Sequence, residues 1–437
     1  MLTAIAIGIS GCLQQQKYWL IIFIVNLALH SALPAHAAPF IELPKANLQA
    51  HELGVIYLKG NLKSERIARS YQRLRAIPAA NIIGISLDDQ KVNVSPGKFA
   101  VQKRIVDALL GHHIQALALA WDQPYRVGCM SISAAFAFGY DADFCASGCQ
   151  KTKHSAYYHS SSTAPFTDFN FRPTMMLAAT TVENAESFIM RGIKSDDSQP
   201  RGDVYLLQTS DNSRSVRKIF YPMIKDAFEP QHTVNIVSSD GIVDRSNILF
   251  YFTGIKSVPH LETLNFLPGA IADHLTSHGG RLTDSTQMSA MRWLEAGATG
   301  SYGTALEPCN FLEKFPNPLI AMWHYNKGAS LIESYWKSVQ MPGQGNFIGE
   351  PLASPFSGYR LVRWKNSVRL YSPILRQGQY SILVGQMASG GLPMPSYLRQ
   401  LNTLATQRVS QTKNYIELKP PYYPFYRIER LQSVKDG

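Results

Sequence analysis

The sequence predicts an α/β fold, a three-layer sandwich in which helices cover both faces of a mostly parallel β-sheet. Three observations predict it. Short apolar runs, rich in β-branched residues, alternate from Gly54 onward with amphipathic stretches of helical length. The apolar runs are hydrophobic on successive residues, as is typical of strands buried on both faces. Strands separated by helices favour parallel pairing through right-handed crossovers.

The predicted elements follow in chain order. GVIYLKG is the first strand, and SERIARSYQRLRAI is a helix with Ser64 as its N-cap and Pro78 beyond its end. NIIGISL and IQALALAW are strands on either side of the helix SPGKFAVQKRIVDALLG. Later strands are TMMLAAT, VYLLQTSD, TVNIVSSD and NILFYFTG, and later helices are NAESFIMRGI and SVRKIFYPMIKDAF.

The stretch ADHLTSHGGRLTDSTQMSAMRWLEAGATGSYGTALEPC, Ala272 to Cys309, combines sharp turns with reactive residue types. Asp284 and Gln287 form a capping-box pattern that predicts a helix ending at Gly297. ATGSYGTAL is the next predicted strand, followed by helices in LIAMWHYNKG and SLIESYWKSV. The turn SHGG and the segment EPC therefore follow neighbouring strands, and we expect them at one edge of the sheet.

Two regions depart from this rhythm. Residues 122–172 carry three cysteines and a polar run, which indicates a disulfide-bearing insertion over the sheet edge. After Phe356, short strand-like runs rich in Pro, Tyr and Arg indicate a small β-rich C-terminal extension, residues 357–437. The α/β domain is thus predicted at 38–356.

The first 37 residues are predicted to be an export signal. One charged residue, Lys17, precedes the 16-residue run YWLIIFIVNLALHSAL, and Ala35-His36-Ala37 suits cleavage before Ala38. The run is short for a bilayer-spanning helix, although an uncleaved anchor is an alternative, and would then be the chain's membrane contact. A lipoprotein-like box ending at Cys12 precedes the run instead of ending it. We expect an exported protein, periplasmic or secreted.

Without that segment, 41 Lys and Arg face 31 Asp and Glu, a formal charge of +10. The basic residues are scattered, and no aromatic residues interleave with them to stack on bases, so no nucleic-acid partner is expected. A basic surface instead favours anionic polymers or lipid of the cell envelope. No cofactor is predicted, and the sequence leaves the oligomeric state open.

Four cysteines remain: Cys129, Cys145, Cys149 and Cys309. An even set in an oxidising compartment favours disulfides, with three connectivities. A free Cys309 is the alternative. The pair Cys145 and Cys149 lacks the second cluster that zinc sites use, so no metal is predicted there.

The candidate site lies at the edge formed by residues 273–280 and 300–310. In a hydrolase, His274 or His278 would activate Cys309 or Ser277 as the nucleophile, with glycine N–H groups binding the oxyanion. The competing interpretation is that these side chains serve a strand end, a turn and a disulfide. The remaining candidate ligand-binding residues are Asp273, Gly279, Gly280, Gly300, Ser301, Glu307 and Asn310.

A second hypothesis is a non-catalytic module that binds an envelope polymer, glycan or peptide at this edge. Trp293, Trp323 and Trp336 offer flat surfaces for sugars, although aromatics at helical spacing usually belong to a core. A third is a metal site formed by His274, His278, Glu307 and Cys309, which the glycines after His278 disfavour because His274 and His278 need a helix to share a face.

The motifs PGAIADHLTSHGG, QMSAMRWLEAGATGSYGTALEPCNF, KFPNP and YWKSVQMPGQGNFIGEPLASPF resemble an uncharacterised family of exported bacterial proteins, over roughly Gly54 to Phe356. This resemblance implies export but no reaction.

A more distant resemblance is to the gingipain-type, caspase-like cysteine peptidases. YFTG at Tyr251, the glycine-rich run at Gly300 and GEP at Gly349 follow the order of that group's motifs. However, Ile255 stands where the group has its histidine base, and the next strand ends in ADHLTSHGG, without a cysteine. The resemblance implies a caspase-like fold and a degenerate peptidase-like module. The α/β pattern alone also allows a flavodoxin-like fold. Whether the chain is an enzyme stays open.

Overall fold

The computed structural model describes residues 39–146, 148–385 and 401–431. These residues form two compact units. The larger comprises Pro44–Gly378 and Arg408–Pro420, and the smaller comprises residues 39–43, 379–385, 401–407 and 421–431. The export signal predicted at 1–37 lies outside the described residues, and the domain boundary predicted at 356 stays a prediction.

The described strands are β1 (Phe40–Glu42), β2 (Leu53–Leu58), β3 (Ile82–Ile85), β4 (Asn93–Val94), β5 (Ala116–Leu119), β6 (Arg126–Val127), β7 (Met130–Ser131), β8 (Thr174–Met176), β9 (Asp203–Gln208), β10 (Thr233–Ser238), β11 (Ile248–Thr253), β12 (Phe266–His274), β13 (Gly300–Thr304), β14 (Gly345–Gly349), β15 (Arg360–Trp364), β16 (Ser367–Tyr371), β17 (Gly378–Gly385), β18 (Asn402–Val409), β19 (Ile416–Leu418) and β20 (Phe425–Arg430). The described α-helices are α1 (Leu62–Arg75), α2 (Pro96–Leu109), α3 (Ile132–Phe138), α4 (Pro165–Phe169), α5 (Val182–Ser195), α6 (Tyr221–Phe228), α7 (Met291–Ala296), α8 (Pro318–Asn326) and α9 (Leu331–Trp336).

The larger unit is built on a ten-stranded sheet in the order β10-β9-β11-β12-β13-β14-β8-β5-β2-β3. Its strand pairs are parallel except β13–β14, which is antiparallel. The sheet therefore consists of two parallel halves of five strands that run in opposite directions. The α/β class and the mostly parallel sheet predicted from the sequence are confirmed.

Helical segments cover both faces of this sheet. Successive side chains of a strand point to opposite faces. Near the end of β12, Asp273 pairs with Arg217 in the turn of 3₁₀ helix that leads into α6, while His274 accepts a hydrogen bond from Trp293 of α7. Those two helical segments therefore lie on opposite faces, which gives the three layers.

Helix α1 begins earlier than predicted. Asn61 is the N-cap, and its side chain accepts a hydrogen bond from the Ser64 N–H, while the Ser64 hydroxyl accepts one from the Leu58 N–H. The helix ends where Ala76 takes a left-handed conformation, φ 52°. Ser64 thus ties the helix to β2 and does not cap it.

The helix predicted from Asp284 does not form until Met291. Asp284 accepts a hydrogen bond from the Tyr125 hydroxyl. Gln287 accepts one from the Thr276 hydroxyl and one from the His278 N–H, both at 2.7 Å. These side chains form hydrogen bonds with residues outside the predicted helix and do not cap it. The prediction of a capping box is therefore wrong, and residues 284–290 form a loop.

A buried ion network lies where β14 ends. Glu350 has no exposed surface, and its carboxylate accepts hydrogen bonds from Arg75 of α1 and from the Tyr71 hydroxyl. Arg75 also pairs with Asp196, the C-cap of α5. A Cβ on Gly192 would lie 2.4 Å from the Glu350 Oε2 atom, so only glycine leaves room for this network.

The segment 122–172 contains β6, β7, α3 and α4, and two disulfides tie it. Cys129–Cys145 closes a loop within the segment, and Cys149–Cys309 joins it to the loop after β13. The predicted disulfides are confirmed, and all four cysteines of the described chain are paired.

From Arg360 onward, all the described regular secondary structure is β-strand. β15, β16 and β19 form an antiparallel sheet in the larger unit. The smaller unit contains most of a four-stranded sheet in the order β1-β20-β17-β18. Within the described ranges, no helix is both long enough and apolar enough to span a membrane.

Candidate functional site

The candidate site lies where β12 and β13 end. These strands are parallel neighbours, with Ile271 opposite Gly300. Hydrogen bonds join the segments that follow them: the Gly280 N–H donates to the Thr304 carbonyl at 2.9 Å, and the Thr304 hydroxyl donates to the Ser277 carbonyl at 2.8 Å. The sequence therefore placed the two segments together correctly.

The glycines of the site allow close backbone packing. A Cβ on Gly280 would lie 2.0 Å from the Gly303 carbonyl oxygen, and one on Gly303 would lie 2.4 Å from the Gly279 carbonyl carbon. Gly300 is equally tight, since its Cβ would lie 2.4 Å from a methyl group of Leu331. Because the Gly280 N–H already donates to Thr304, it does not serve as an oxyanion donor in this geometry.

His274 is held by both ring nitrogens. The Trp293 indole N–H, which can only donate, lies 3.0 Å from Nδ1, so Nδ1 accepts. Nε2 then carries the proton and donates to the Met288 carbonyl at 3.1 Å. Burial lowers the pKa of His274 to about 3. This neutral, buried imidazole has no lone pair free to take a proton from a nucleophile.

Asp273 lies on the opposite face of the sheet from His274. Its Oδ1 atom accepts from the Arg217 guanidinium at 2.5 Å, and Arg217 also donates to the Thr253 carbonyl at 2.7 Å. Both members of the pair are buried, while Asp273 Oδ2 has no hydrogen-bond partner in the part of the chain that the structure describes. Burial raises the pKa of Asp273, and the charge of Arg217 acts in the opposite direction. This ion pair joins β12 to the segment before α6.

The surface of the site is formed by Ser277, His278 and Glu307. The Ser277 hydroxyl donates to Glu307 Oε1 at 3.2 Å, and His278 Nε2 lies 4.0 Å from Glu307 Oε2. Glu307 also accepts from the Cys309 N–H at 2.9 Å. Burial lowers the pKa of His278, and Arg281 acts in the same direction. The hydrogen-bond acceptor of the Ser277 hydroxyl is therefore a carboxylate and not an imidazole.

Three candidates have other surroundings. The Cys309 sulfur is bonded to Cys149, so it is not a thiol. The Ser301 hydroxyl is fully buried in β13 and has no hydrogen-bond partner among the described residues. Asn310 is exposed beside the disulfide. Of the predicted set, the structure thus brings Ser277, His278, Glu307 and the Cys309 backbone together at the surface.

Sequence reasoning missed Arg217, Gln287 and Trp293. Arg217 lies 56 residues before Asp273, and no spacing pattern pairs them. The sequence pattern predicts Gln287 to be part of a helix cap, whereas its amide oxygen accepts a hydrogen bond from the His278 N–H in the turn. The sequence offers Trp293 as a surface for sugars, whereas its ring is fully buried and its indole N–H fixes the His274 tautomer.

Within residues 39–146, 148–385 and 401–431, no group of three or more His, Cys, Asp and Glu side chains is arranged to hold a metal ion. His274 and His278, considered together as metal ligands, separate into a buried ring and a partly exposed one.

Comparison with known proteins yields no family. No protein-family model matches the chain, and no curated protein matches it. The chain is similar to a solved structure described as "Structure of Protease", with a TM-score of 0.39 and 10% identity over 88% of this chain and 98% of that one. A likeness at this level supports no conclusion about fold or chemistry. Membership of the family of exported bacterial proteins stays a prediction.

Proposed function

We propose that this chain is an exported, non-catalytic binding module that holds a ligand of the cell envelope without transforming it. The observation that carries this proposal is the engagement of both ring nitrogens of His274, by Trp293 and by the Met288 carbonyl. A hydrolase with this site would need that imidazole to accept a proton from the attacking group.

The candidate nucleophiles support the same proposal. A cysteine nucleophile acts as a thiolate, and the Cys309 sulfur is part of a disulfide. The Ser277 hydroxyl donates to Glu307, which leaves it without the histidine partner that activates a serine. What remains at the surface is a polar patch of a hydroxyl, an imidazole and a carboxylate.

Export is part of the proposal. Disulfides form and persist in oxidising compartments and are rare in the cytosol, and this chain has two. The N-terminal pattern ending at Ala37 and the net positive charge agree with a periplasmic or secreted protein that meets anionic polymers.

A serine hydrolase is the second candidate function. The observation in its favour is that Ser277, Glu307 and His278 share one surface, within 3.2 Å and 4.0 Å for the two contacts to Glu307. In this alternative His278 would have to turn from the carboxylate to the serine hydroxyl when a substrate binds.

The two candidates are separated by labelling and turnover. The purified chain, with both disulfides intact, would be treated with a fluorophosphonate probe and assayed on ester and peptide substrates. We expect no labelling and no turnover above the level of the S277A variant, because the Ser277 hydroxyl donates to a carboxylate and not to a histidine. Labelling of Ser277 that disappears in both S277A and H278A, with melting unchanged, would refute the non-catalytic proposal.

A further inference from the structure

A cleft lies in the larger unit, apart from the candidate site, and its lining combines an aromatic ring, cations and side-chain amides. Its volume is about 410 Å³, within the range of small-molecule sites. One wall is the end of α8, with Trp323 and Lys327. The cleft is also lined by the loop after β16, with Arg376 and Gln377, and by the loop between β18 and β19, with Gln411 and Asn414. We call it the Trp323 cleft.

Trp323 is the exposed member of the three tryptophans that the sequence offered as sugar surfaces. Trp293 and Trp336 are fully buried, whereas Trp323 is 47% exposed at the mouth of the cleft. A ligand that covered this indole would remove apolar surface from water, which favours binding. A flat indole face suits the C–H face of a pyranose ring, and its rigidity limits the entropy lost on binding.

Two cationic side chains line the cleft. The Lys327 ammonium lies 5.4 Å from the centre of the Trp323 ring. Burial lowers the pKa of Lys327, and the neighbouring charge of Arg376 acts in the same direction. The described residues that line the cleft include these two cations and no carboxylate. An anion bound here would be attracted by both Lys327 and Arg376.

We propose that the Trp323 cleft binds an anionic polysaccharide through its carboxylate-bearing sugar units, with one sugar on the Trp323 ring and its carboxylate between Lys327 and Arg376. The side-chain amides of Gln377, Gln411 and Asn414 supply donors and acceptors of the kind that sugar hydroxyls require. This inference rests on the proposed binding function and assigns it a ligand class and a second place on the molecule.

An acidic peptide is the rival ligand, since it would satisfy the same two cations. The saccharide is favoured because the cleft combines an exposed ring with three amides, which match a chain of rings and hydroxyls better than a run of flexible carboxylate side chains. The experiment therefore includes both ligands at equal length.

Calorimetric titration of the full chain would use hexagalacturonate as the probe, with neutral maltohexaose and a hexaglutamate peptide beside it. We expect hexagalacturonate to bind, with an affinity that falls as salt rises from about 0.05 M to about 0.5 M. W323A should weaken binding at least about tenfold, as for an aromatic anchor, and K327Q should weaken it and flatten the salt dependence.

The matched control is W364A. Trp364 is 46% exposed, and the Arg369 guanidinium lies 4.1 Å from its ring centre, but it belongs to β15 and not to the cleft. W364A should leave affinity within about twofold. Equal loss in W364A and W323A, or equal binding of maltohexaose or hexaglutamate, would overturn the inference. A release of reducing ends during titration would instead refute the non-catalytic function, so the two failures are distinguishable.

Discussion

His274 has the residue type and the place in the chain of a catalytic base, yet its contacts give it a structural role. Its two hydrogen bonds join the end of β12 to α7 and to the loop before it. Both partners lie further along the chain, at Met288 and Trp293, and neither is marked by a motif. The sequence therefore predicted the position of His274 at the end of a strand, but not that the Trp293 N–H would donate to its Nδ1 atom.

The buried histidines predict how stability depends on pH. Burial lowers the pKa of both His274 and His324 to about 3, whereas an unfolded histidine titrates near 6.5. As pH falls below about 6.5, the unfolded chain binds protons that the native chain does not. Stability is therefore fully present at neutral pH and is lost on acidification, by up to about 1.4 kcal/mol per pH unit for each histidine.

Urea unfolding at a series of pH values between about 7 and about 4 measures this slope. In H274Q, whose amide can keep one donor and one acceptor, the slope should decrease by about one proton. Replacement of the exposed His112 is the control. An H274Q slope equal to that of the parent chain would show that His274 does not remain neutral in the fold.

At the scale of elements, the Glu350 network joins β14 to α1 and, through Asp196, to α5. In E350A, Arg75 would lose its buried partner and the Tyr71 hydroxyl its acceptor. Removing one member of a buried ion pair typically costs about 3–5 kcal/mol, so we expect a loss of that size in the free energy of unfolding by urea.

E183A is the matched control for the Glu350 prediction. Glu183 of α5 pairs with Arg66 of α1 across the same two helices, at 4.0 Å and with both side chains exposed. Exposed pairs contribute about 1 kcal/mol or less. If E183A and E350A lowered the free energy of unfolding by similar amounts, the prediction that the buried Glu350 network contributes more than the exposed pair would be wrong.

Local pattern predicted the elements that depend on local interactions. The strands β2, β5 and β9 and the helices α2 and α5 follow apolar runs and helical spacing, and they appear close to where they are predicted, while α1 forms but begins before Ser64. The helix predicted from Asp284 does not form there because its capping residues bond outside the predicted helix, Asp284 to Tyr125, 159 residues away, and Gln287 to Thr276 in the preceding turn. For the same reason, the sequence located the candidate edge but not the Trp323 cleft, whose walls come from α8 and two distant loops.

At the scale of the whole molecule, the two disulfides should differ in what they contribute. Cys149–Cys309 links residues 160 apart, while Cys129–Cys145 links residues 16 apart. In the chain-entropy account, the longer loop removes more freedom from the unfolded chain, about 5 kcal/mol against about 3 kcal/mol. We expect C149A/C309A to lower the free energy of unfolding more than C129A/C145A does.

Urea unfolding of the two double variants, with the remaining disulfide verified by mass spectrometry, provides the comparison. A larger loss in C129A/C145A would mean that the short link stabilises local packing and that loop length does not decide the order. Because neither Cys149 nor Cys309 lines the Trp323 cleft, ligand binding there should persist in the folded fraction.

The position of β14 has a consequence for the order in which the sheet is completed. β14 lies between β13 and β8, so it is the strand that joins the two parallel halves, and it is also the last of the ten along the chain. During synthesis from the N-terminus, the other nine strands of the sheet are made before β14. Until Gly345–Gly349 arrives, β13 and β8 each present an unpaired edge, the feature that invites wrong partners. The two halves of the sheet can therefore join only after β14 has been synthesised, when it pairs with both β13 and β8.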